Sequence, residues 1–291
     1  MNCAKRAIFA AEGLAVGYDG KKLIMDIDLH VDAGECILLC GSNGCGKSTL
    51  LRTLAGLQEP LEGRCGVLDG SGGCIPSGFL QLHGGHCTGM DDVGGLSVKR
   101  RLTQGRHYDA ILGSEEGSCL EHPGNVILVP ARIPKVEGFT LEEFISTSCY
   151  RETGWLGHVP ARVHSKVENA MGLLGIERLR DRDISTLSDG EFQKAGIATA
   201  LVRDAVLILL DEPTAFLDVD SREEVLRTLH SLDTAVIFSS HNIEAAARKC
   251  TRVLGVCGKS LLDTGPDADQ AAVEVVFRKC FRSFHMERYS C

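Results

Sequence analysis

The residues Gly41 to Thr49 read GSNGCGKST. They follow the apolar run CILLC, Cys36 to Cys40, and precede a helical pattern from Lys47 to about Ala55, closed by Gly56. A G-x-x-x-x-G-K-[ST] pattern between a buried strand and a helix is the context of a phosphate-binding P-loop. The backbone N–H groups of Gly41, Ser42, Asn43, Gly44, Cys45 and Gly46 then form a nest for anionic oxygens. Lys47 reaches the outer phosphates of a nucleotide, Ser48 is placed to ligate Mg2+, and Thr49 closes the motif.

A second constellation is LLDEP, Leu209 to Pro213, at the end of the apolar run AVLILL. Ligands of parallel sheets bind at the carboxyl ends of strands. Asp211 is therefore a second candidate for Mg2+, directly or through water. Glu212 beside it is placed to orient or deprotonate an attacking water. His241 directly follows VIFSS, another apolar run. A histidine at a strand end is either a structural residue or a polar switch facing a terminal phosphate.

The third stretch is LSDGEFQKAGIA, Leu187 to Ala198. Ser188 and Glu191 have capping-box spacing, which predicts a helix beginning there. A helix N-terminus attracts anions. Yet this first turn carries two carboxylates, Asp189 and Glu191, on either side of Gly190. The local pattern leaves two readings: a capped helix alone, or a phosphate site with an unusual charge pattern.

These groups need a scaffold. The chain has 291 residues, enough for one large domain or two small ones. Its formal net charge of -8 implies no general attraction to nucleic acid or to anionic membranes. The first twenty residues lack the apolar core of a signal peptide. The 13 cysteines are accordingly expected to be reduced thiols in a cytosolic protein. No apolar run approaches the ~18 residues of a membrane span.

Residues 7–41 read as short antiparallel strands with a turn at Ala33-Gly34. NVILVPA, AVLILL and TAVIFSS read as buried strands, and TRVLGVCGKSLLDTGP as a terminal hairpin. Capping boxes are expected at Thr140/Glu143 and at Ser165/Glu168, the latter helix ending at Gly175. DSREEVLRTLHSL is an amphipathic helix. Buried strands alternating with helices predict an α/β fold with a largely parallel sheet covered on both faces.

From about Arg64 to Asn125 the pattern breaks down into a stretch with 14 glycines, four cysteines and four histidines. It is too long for an ordinary loop, which marks it as an insertion. His83, His86 and Cys87, with Cys74 and Cys119, are either soft ligands for Zn2+ or part of a surface excursion; no C-x-x-C pair is present. Cys45 has two readings as well: a thiol activated by the adjoining helix N-terminus, or a small side chain that fits.

The P-loop, LSDGE, LLDEP, FLD and His241, in this order, resemble the ATP-binding subunit of ABC transporters. Ser188 lies 23 residues before Asp211, a spacing typical of that family. The resemblance covers Leu14 to about Phe281 outside the insertion. It implies one ABC ATPase domain over residues 1–291: a P-loop NTPase with a RecA-like core, an antiparallel β-subdomain and a helical subdomain at about 132–200. It also implies a head-to-tail homodimer around two ATP, with Mg2+ as cofactor. Tyr18 matches the aromatic that stacks on adenine; the plainer reading is a turn aromatic. Ser188, Asp189, Gly190 and Glu191 match the signature that meets the γ-phosphate of ATP held by the other subunit. Asp218 matches the loop linking the two sites.

LSDGEFQKAGIATAL, LLDEPTAFLDV and the short tail look like ATPases that import iron-siderophore complexes, haem or vitamin B12. That resemblance implies transmembrane permease subunits as partners and, through them, a substrate-binding protein. It would hold the chain on the inner face of the cell membrane. The alternative within the family is a soluble ATPase, such as an iron–sulfur assembly factor. One departure concerns the residue after NVILVP, a glutamine in the family that contacts Mg2+. Here it is Ala131, followed by Arg132.

Overall fold

The computed structural model describes residues 6–68, 74–76, 125–149, 152, 160–266 and 268–281. Ten strands form one sheet in the order β5-β4-β1-β2-β10-β9-β3-β8-β7-β6. At one end β1 (Ala7–Tyr18), β2 (Lys21–Asp32), β4 (Glu62–Leu68) and β5 (Cys74–Pro76) pair antiparallel. At the other end β9 (Arg252–Cys257), β3 (Cys36–Gly41), β8 (Ala235–Ser239), β7 (Ala205–Leu210) and β6 (Asn125–Val129) pair parallel. The strand β10 (Ser260–Asp263) returns from β9 as a hairpin and meets β2 at Ser260 and Met25. Thus the parallel sheet and the terminal hairpin expected from the sequence are both present.

The first two strands are longer than expected. Each has 12 residues, because Asp19 and Gly20, at φ 50° and 72°, make a two-residue hairpin turn rather than a break. Residues 64–68 belong to β4, and 74–76 form β5 against it, so the sheet continues into the stretch grouped above with the insertion. Apart from residues 74–76, residues 69–124 lie outside the described residues; so do the candidate zinc ligands His83, His86, Cys87 and Cys119.

Strand alternation divides the core in two. On β3, Cys36, Leu38 and Cys40 face one apolar layer, while Ile37 and Leu39 face the other. Ile208 and Leu210 on β7 likewise oppose Leu207 and Leu209. A strand with both faces buried must be apolar throughout, which is why CILLC and AVLILL lack alternation. The helix α1 (Lys47–Leu54) covers one face through Leu50, Leu51 and Leu54.

The other face carries α2 (Leu141–Thr147), α3 (Ala161–Leu173) and α4 (Asp189–Leu201). Phe144 of α2 meets Phe192 of α4 with ring centroids 5.4 Å apart. The Thr140/Glu143 capping box is formed. The expected box at Ser165/Glu168 is not: α3 begins a turn earlier, after Pro160. Proline suits a helix start, and the apolar face Val163, Val167, Ala170 and Met171 extends the helix upstream of Ser165. Glu168 instead accepts from Arg180 at 3.1 Å. The helices α5 (Val219–His230), α6 (Ile243–Ala247) and α7 (Gln270–Cys280) complete the fold.

One buried charge cluster ties the antiparallel end to the parallel end. Arg252 on β9 donates to the His30 carbonyl at 2.7 Å, to Glu35 at 3.3 Å and to Asp263 at 2.8 Å. A buried guanidinium requires such partners for its fixed fork of donors. Burial alone would raise the Asp263 pKa. The Arg252 hydrogen bond, the Gly265 amide and the Arg252 charge outweigh burial and hold it below the ordinary carboxylate value.

Candidate nucleotide site

Backbone freedom builds the P-loop. Gly41, Gly44 and Gly46 have φ of 152°, 74° and 108°, a region that side-chain-bearing residues rarely enter. Gly41 is also sterically required: a Cβ there would lie 2.8 Å from Cys45 Sγ and 3.0 Å from the Val256 carbonyl. Gly46 is the N-cap of α1, so the positive end of the helix dipole faces the loop. Lys47 donates to the carbonyls of Gly41 at 2.8 Å and Ser42 at 3.2 Å, which brings its ammonium back over the loop. Burial raises the Cys45 pKa against the pull of the Lys47 charge. Of the two readings of Cys45, the small side chain that fits is the one the loop supports.

The strand ends of β7 and β8 supply the second part. Ser239 is fully buried and not among the expected site residues. Its hydroxyl donates to Asp211 Oδ1 at 2.7 Å and accepts the Glu212 amide at 2.8 Å. It therefore fixes both acids from the neighbouring strand. The signal was present in FSSH, where a polar pair interrupts an apolar strand just before His241. Glu212 has φ 52°, unfavourable for a non-glycine residue at about 1–3 kcal/mol. Such strain persists where the surroundings impose it, here through Ser239 and through His241, whose Nε2 lies 2.5 Å from Glu212 Oε1. Gly41, Asp211 and Ser239 stand at the carboxyl ends of three adjacent parallel strands, β3, β7 and β8.

The donor set suits a hard cation. The Ser48 hydroxyl and the Asp211 carboxylate are oxygen ligands of the type Mg2+ takes alongside phosphate oxygens and water. Ala131 has no ligating atom in its side chain. It lies two residues beyond Val129, whose carbonyl accepts the Asp211 amide at 2.9 Å.

The signature residues form a separate group. Ser188 caps α4: its Oγ accepts the Glu191 amide at 3.2 Å, and Glu191 accepts the Ser188 amide at 3.0 Å and the Ser188 hydroxyl at 2.9 Å. These bonds hold the Glu191 carboxyl below its ordinary pKa. Lys135, also unforeseen, donates to the Leu187 carbonyl at 2.6 Å and to Asp189 at 3.0 Å, with its ammonium 5.5 Å from the Phe192 ring centroid. The two acids thus have different fates: Glu191 closes the cap and Asp189 pairs with a lysine.

Gly190 packs against the next element. A Cβ there would approach the Phe216 carbonyl to 3.0 Å. Asp218 caps α5 by accepting the Ser221 amide at 2.8 Å. Signature and Asp218 line one cavity of about 470 Å3, together with Lys194, Phe216 and Leu217. Among the described residues, the cavity lining includes no member of the chain's own P-loop. Tyr18 ends β1 and is 52% exposed, so its ring presents a free face.

Comparison with known proteins identifies the family and the fold. A family model described as "ABC transporter" matches residues 24–72 and 104–215. The chain is 28% identical over 271 residues to the achromobactin transport ATP-binding protein of Dickeya dadantii, covering 91% of this chain and 85% of the relative. It is 28% identical over 287 residues to the hemin import ATP-binding protein of Nitrobacter winogradskyi, covering 95% and 88%. A bacterial ABC transporter cassette solved as a dimer superposes with a TM-score of 0.61 at 17% identity, over 90% of this chain and 100% of that one. No helix of the described residues is long and apolar enough to cross a membrane.

Proposed function

The chain belongs to the ABC transporter family of ATP-binding domains, and we propose that it is the ATP-hydrolysing subunit of an importer for an iron complex, haem or cobalamin. The observation that carries the hydrolytic role is Glu212, held in a left-handed backbone conformation and braced by Ser239 and His241 beside the P-loop. The relatives named for achromobactin transport and hemin import support the substrate class.

In this reading Gly41 to Thr49 bind the phosphates of ATP and Tyr18 stacks on the base. Lys47 offsets charge on the outer phosphates. Ser48 and Asp211 would hold Mg2+, which supplies further charge neutralisation on the phosphate oxygens when bound. Glu212 accepts a proton from, or orients, the attacking water, and His241 fixes the Glu212 carboxylate and faces the terminal phosphate. Catalysis by such a site is positioning and electrostatics rather than covalent chemistry.

The signature belongs to the same reaction through a second copy. Its cavity lies apart from the chain's own P-loop, so Ser188 and Gly190 act on ATP held by the partner subunit, and Asp218 links the two sites. Two chains close on two ATP and reopen after hydrolysis. The helices within about residues 132–200 form the subdomain that meets the permease. The permease holds the chain on the inner face of the membrane and receives cargo from a substrate-binding protein.

The test is copurification with the permease followed by ATPase assay in the presence of candidate cargoes. Stimulation by an iron chelate, haem or cobalamin supports the reading. A chain that hydrolyses ATP only within a soluble complex overturns the importer role in favour of an assembly ATPase.

A further inference from the structure

Three thiols meet at the end of the P-loop strand, and the proposed ATP chemistry uses none of them. Cys40 is the penultimate residue of β3, directly before Gly41, and is fully buried. Its partner in the ladder with β9 is Gly255. Cys280 is the last residue of α7. A Cβ on Gly255 would lie 2.6 Å from Cys280 Sγ and 3.7 Å from Cys40 Sγ, so both sulfurs border the notch left by one missing side chain. Cys280 and Cys40 thus lie on the two sides of this notch. Cys257, two residues beyond Gly255, donates to the Lys279 carbonyl at 3.1 Å. A side chain at position 255 would force Val276 and the Cys280 sulfur to shift.

A thiol cluster invites a metal reading first. Among the described residues, no group of three potential ligands is arranged to hold a metal ion. What remains is thiol chemistry, for which the cluster has the needed asymmetry. The neighbouring Cys40 thiol lowers the Cys280 pKa against burial, and Cys280 is half-buried. The neighbouring Cys280 and burial both raise that of Cys40. Thiolate character and access govern which cysteine meets an oxidant. Cys280 is the attacking group and Cys40 the resolving one.

We propose that Cys40 and Cys280 are a peroxide-sensitive pair that closes to a reversible disulfide, stapling the end of α7 to the strand that carries the P-loop. In the first step the Cys280 thiolate attacks one oxygen of hydrogen peroxide. The O–O bond breaks, giving Cys280 sulfenic acid and hydroxide. The Cys40 sulfur then attacks the Cys280 sulfur as its proton passes to the departing oxygen. The S–S bond forms, the S–O bond breaks and water leaves. Two thiols lose two electrons in all, and the peroxide is reduced. A dithiol reductant reverses the change by exchange. Strand β3 is held on both sides by β8 and β9, whereas Cys280 ends its helix, so closure moves the helix end. Disulfides of this kind in a reducing compartment are transient sensors rather than structural links.

The experiment uses the full chain. Purified protein is treated with hydrogen peroxide, blocked with N-ethylmaleimide, digested without reductant and mapped by mass spectrometry. The expected product is a linked pair of peptides containing Cys40 and Cys280, removed by dithiothreitol. The link persists in Cys257→Ser and Cys45→Ser and is lost in Cys280→Ser. The oxidised wild type melts at a higher temperature than the reduced form, because the staple restricts the unfolded chain, and Cys280→Ser shows no such rise. A Cys257–Cys280 link, or Cys280 carried only to sulfinic acid with Cys40 fully alkylated, overturns the proposal. So does an unchanged melting temperature in protein that contains the link. Circular dichroism of Cys280→Ser separates loss of the thiol from loss of the fold, and the Cys257→Ser arm decides the pairing independently.

Discussion

The Lys135 ammonium lies 3.0 Å from Asp189 Oδ1 and 2.6 Å from the Leu187 carbonyl, joining the loop after β6 to the cap of the signature helix. This pairing answers the question posed by the two acids in LSDGE. Asp189 does not stand alone at the helix N-terminus. The same loop leaves β6 at Val129, whose carbonyl accepts the Asp211 amide at 2.9 Å, and brings Ile133 against Gly196 further on. One short segment therefore links the end of β6, bonded to Asp211, with the N-terminus of α4.

The Asp189 side chain is 73% exposed, and exposed ion pairs contribute about 0–1 kcal/mol. Asp189→Gly is therefore expected to change ATPase activity only modestly. Lys135→Ala also removes the carbonyl bond and the contact with the Phe192 ring, and is expected to destabilise by about 1–2 kcal/mol. Urea denaturation of both variants checks the order. A large gain in ATP-dependent dimer affinity from Asp189→Gly would show instead that the acid faces the phosphate.

Ser188→Arg places a long cation at the cap of α4, where a partner's ATP is expected. ATP binding to the single chain should be retained, since the P-loop is untouched, while ATP hydrolysis is abolished. Equilibrium binding of a fluorescent ATP analogue, with turnover measured in parallel, checks the split. Loss of both would place Ser188 in the chain's own nucleotide site.

Ser239→Ala removes the hydroxyl that holds both acids. The part-buried Glu212 amide loses its partner, at about 1–3 kcal/mol of stability. Turnover is expected to fall much more than ATP affinity, because Lys47 and the loop amides remain. Chemical denaturation and single-turnover ATPase assays measure the two effects separately.

Asp263 sets an acid dependence of stability. Its folded pKa lies below the ordinary value of about 3.9, held there by Arg252 and the Gly265 amide against burial. A depressed carboxylate contributes stability above its unfolded pKa and loses it as pH falls through the folded one. Asp263→Asn should be less stable than wild type by about 1–3 kcal/mol at neutral pH, with the gap narrowing below about pH 4. Thermal melts across that range check the convergence.

Ala131→Gln restores an oxygen ligand at the position where the family carries glutamine. If that missing ligand limits turnover, ATPase activity rises. An unchanged rate assigns the limit to another step.

Much of the fold was legible in the sequence because strands buried on both faces must be apolar throughout. CILLC, AVLILL and AVIFS could be read without a partner. The P-loop and LLDEP were equally legible, since their chemistry lies in contiguous residues. Long-range pairing was less so. Lys135 is 52 residues from Leu187 and looks like any surface lysine in the chain. Ser239 serves two acids on another strand, which only the sheet order reveals. The start of α3 was misplaced because Ser165 and Glu168 match a capping box by spacing, while the apolar face that fixes the helix reaches back to Val163. Cys45 had two readings from its position in the loop, and burial, which raises its pKa, favours the small side chain that fits. The Cys40–Cys280 pairing depends on Gly255, a residue with no side chain to signal it.

The central claim is that Glu212 drives hydrolysis within a dimer that sandwiches ATP. Glu212→Gln keeps the side chain's shape and removes its capacity to accept a proton. Size-exclusion chromatography with light scattering, with and without ATP and Mg2+, reads the outcome directly. The account predicts that this variant binds ATP, does not turn it over, and elutes as a stable dimer only when ATP is present. A Glu212→Gln variant that stays monomeric with bound ATP, or that hydrolyses ATP at the wild-type rate, would contradict it.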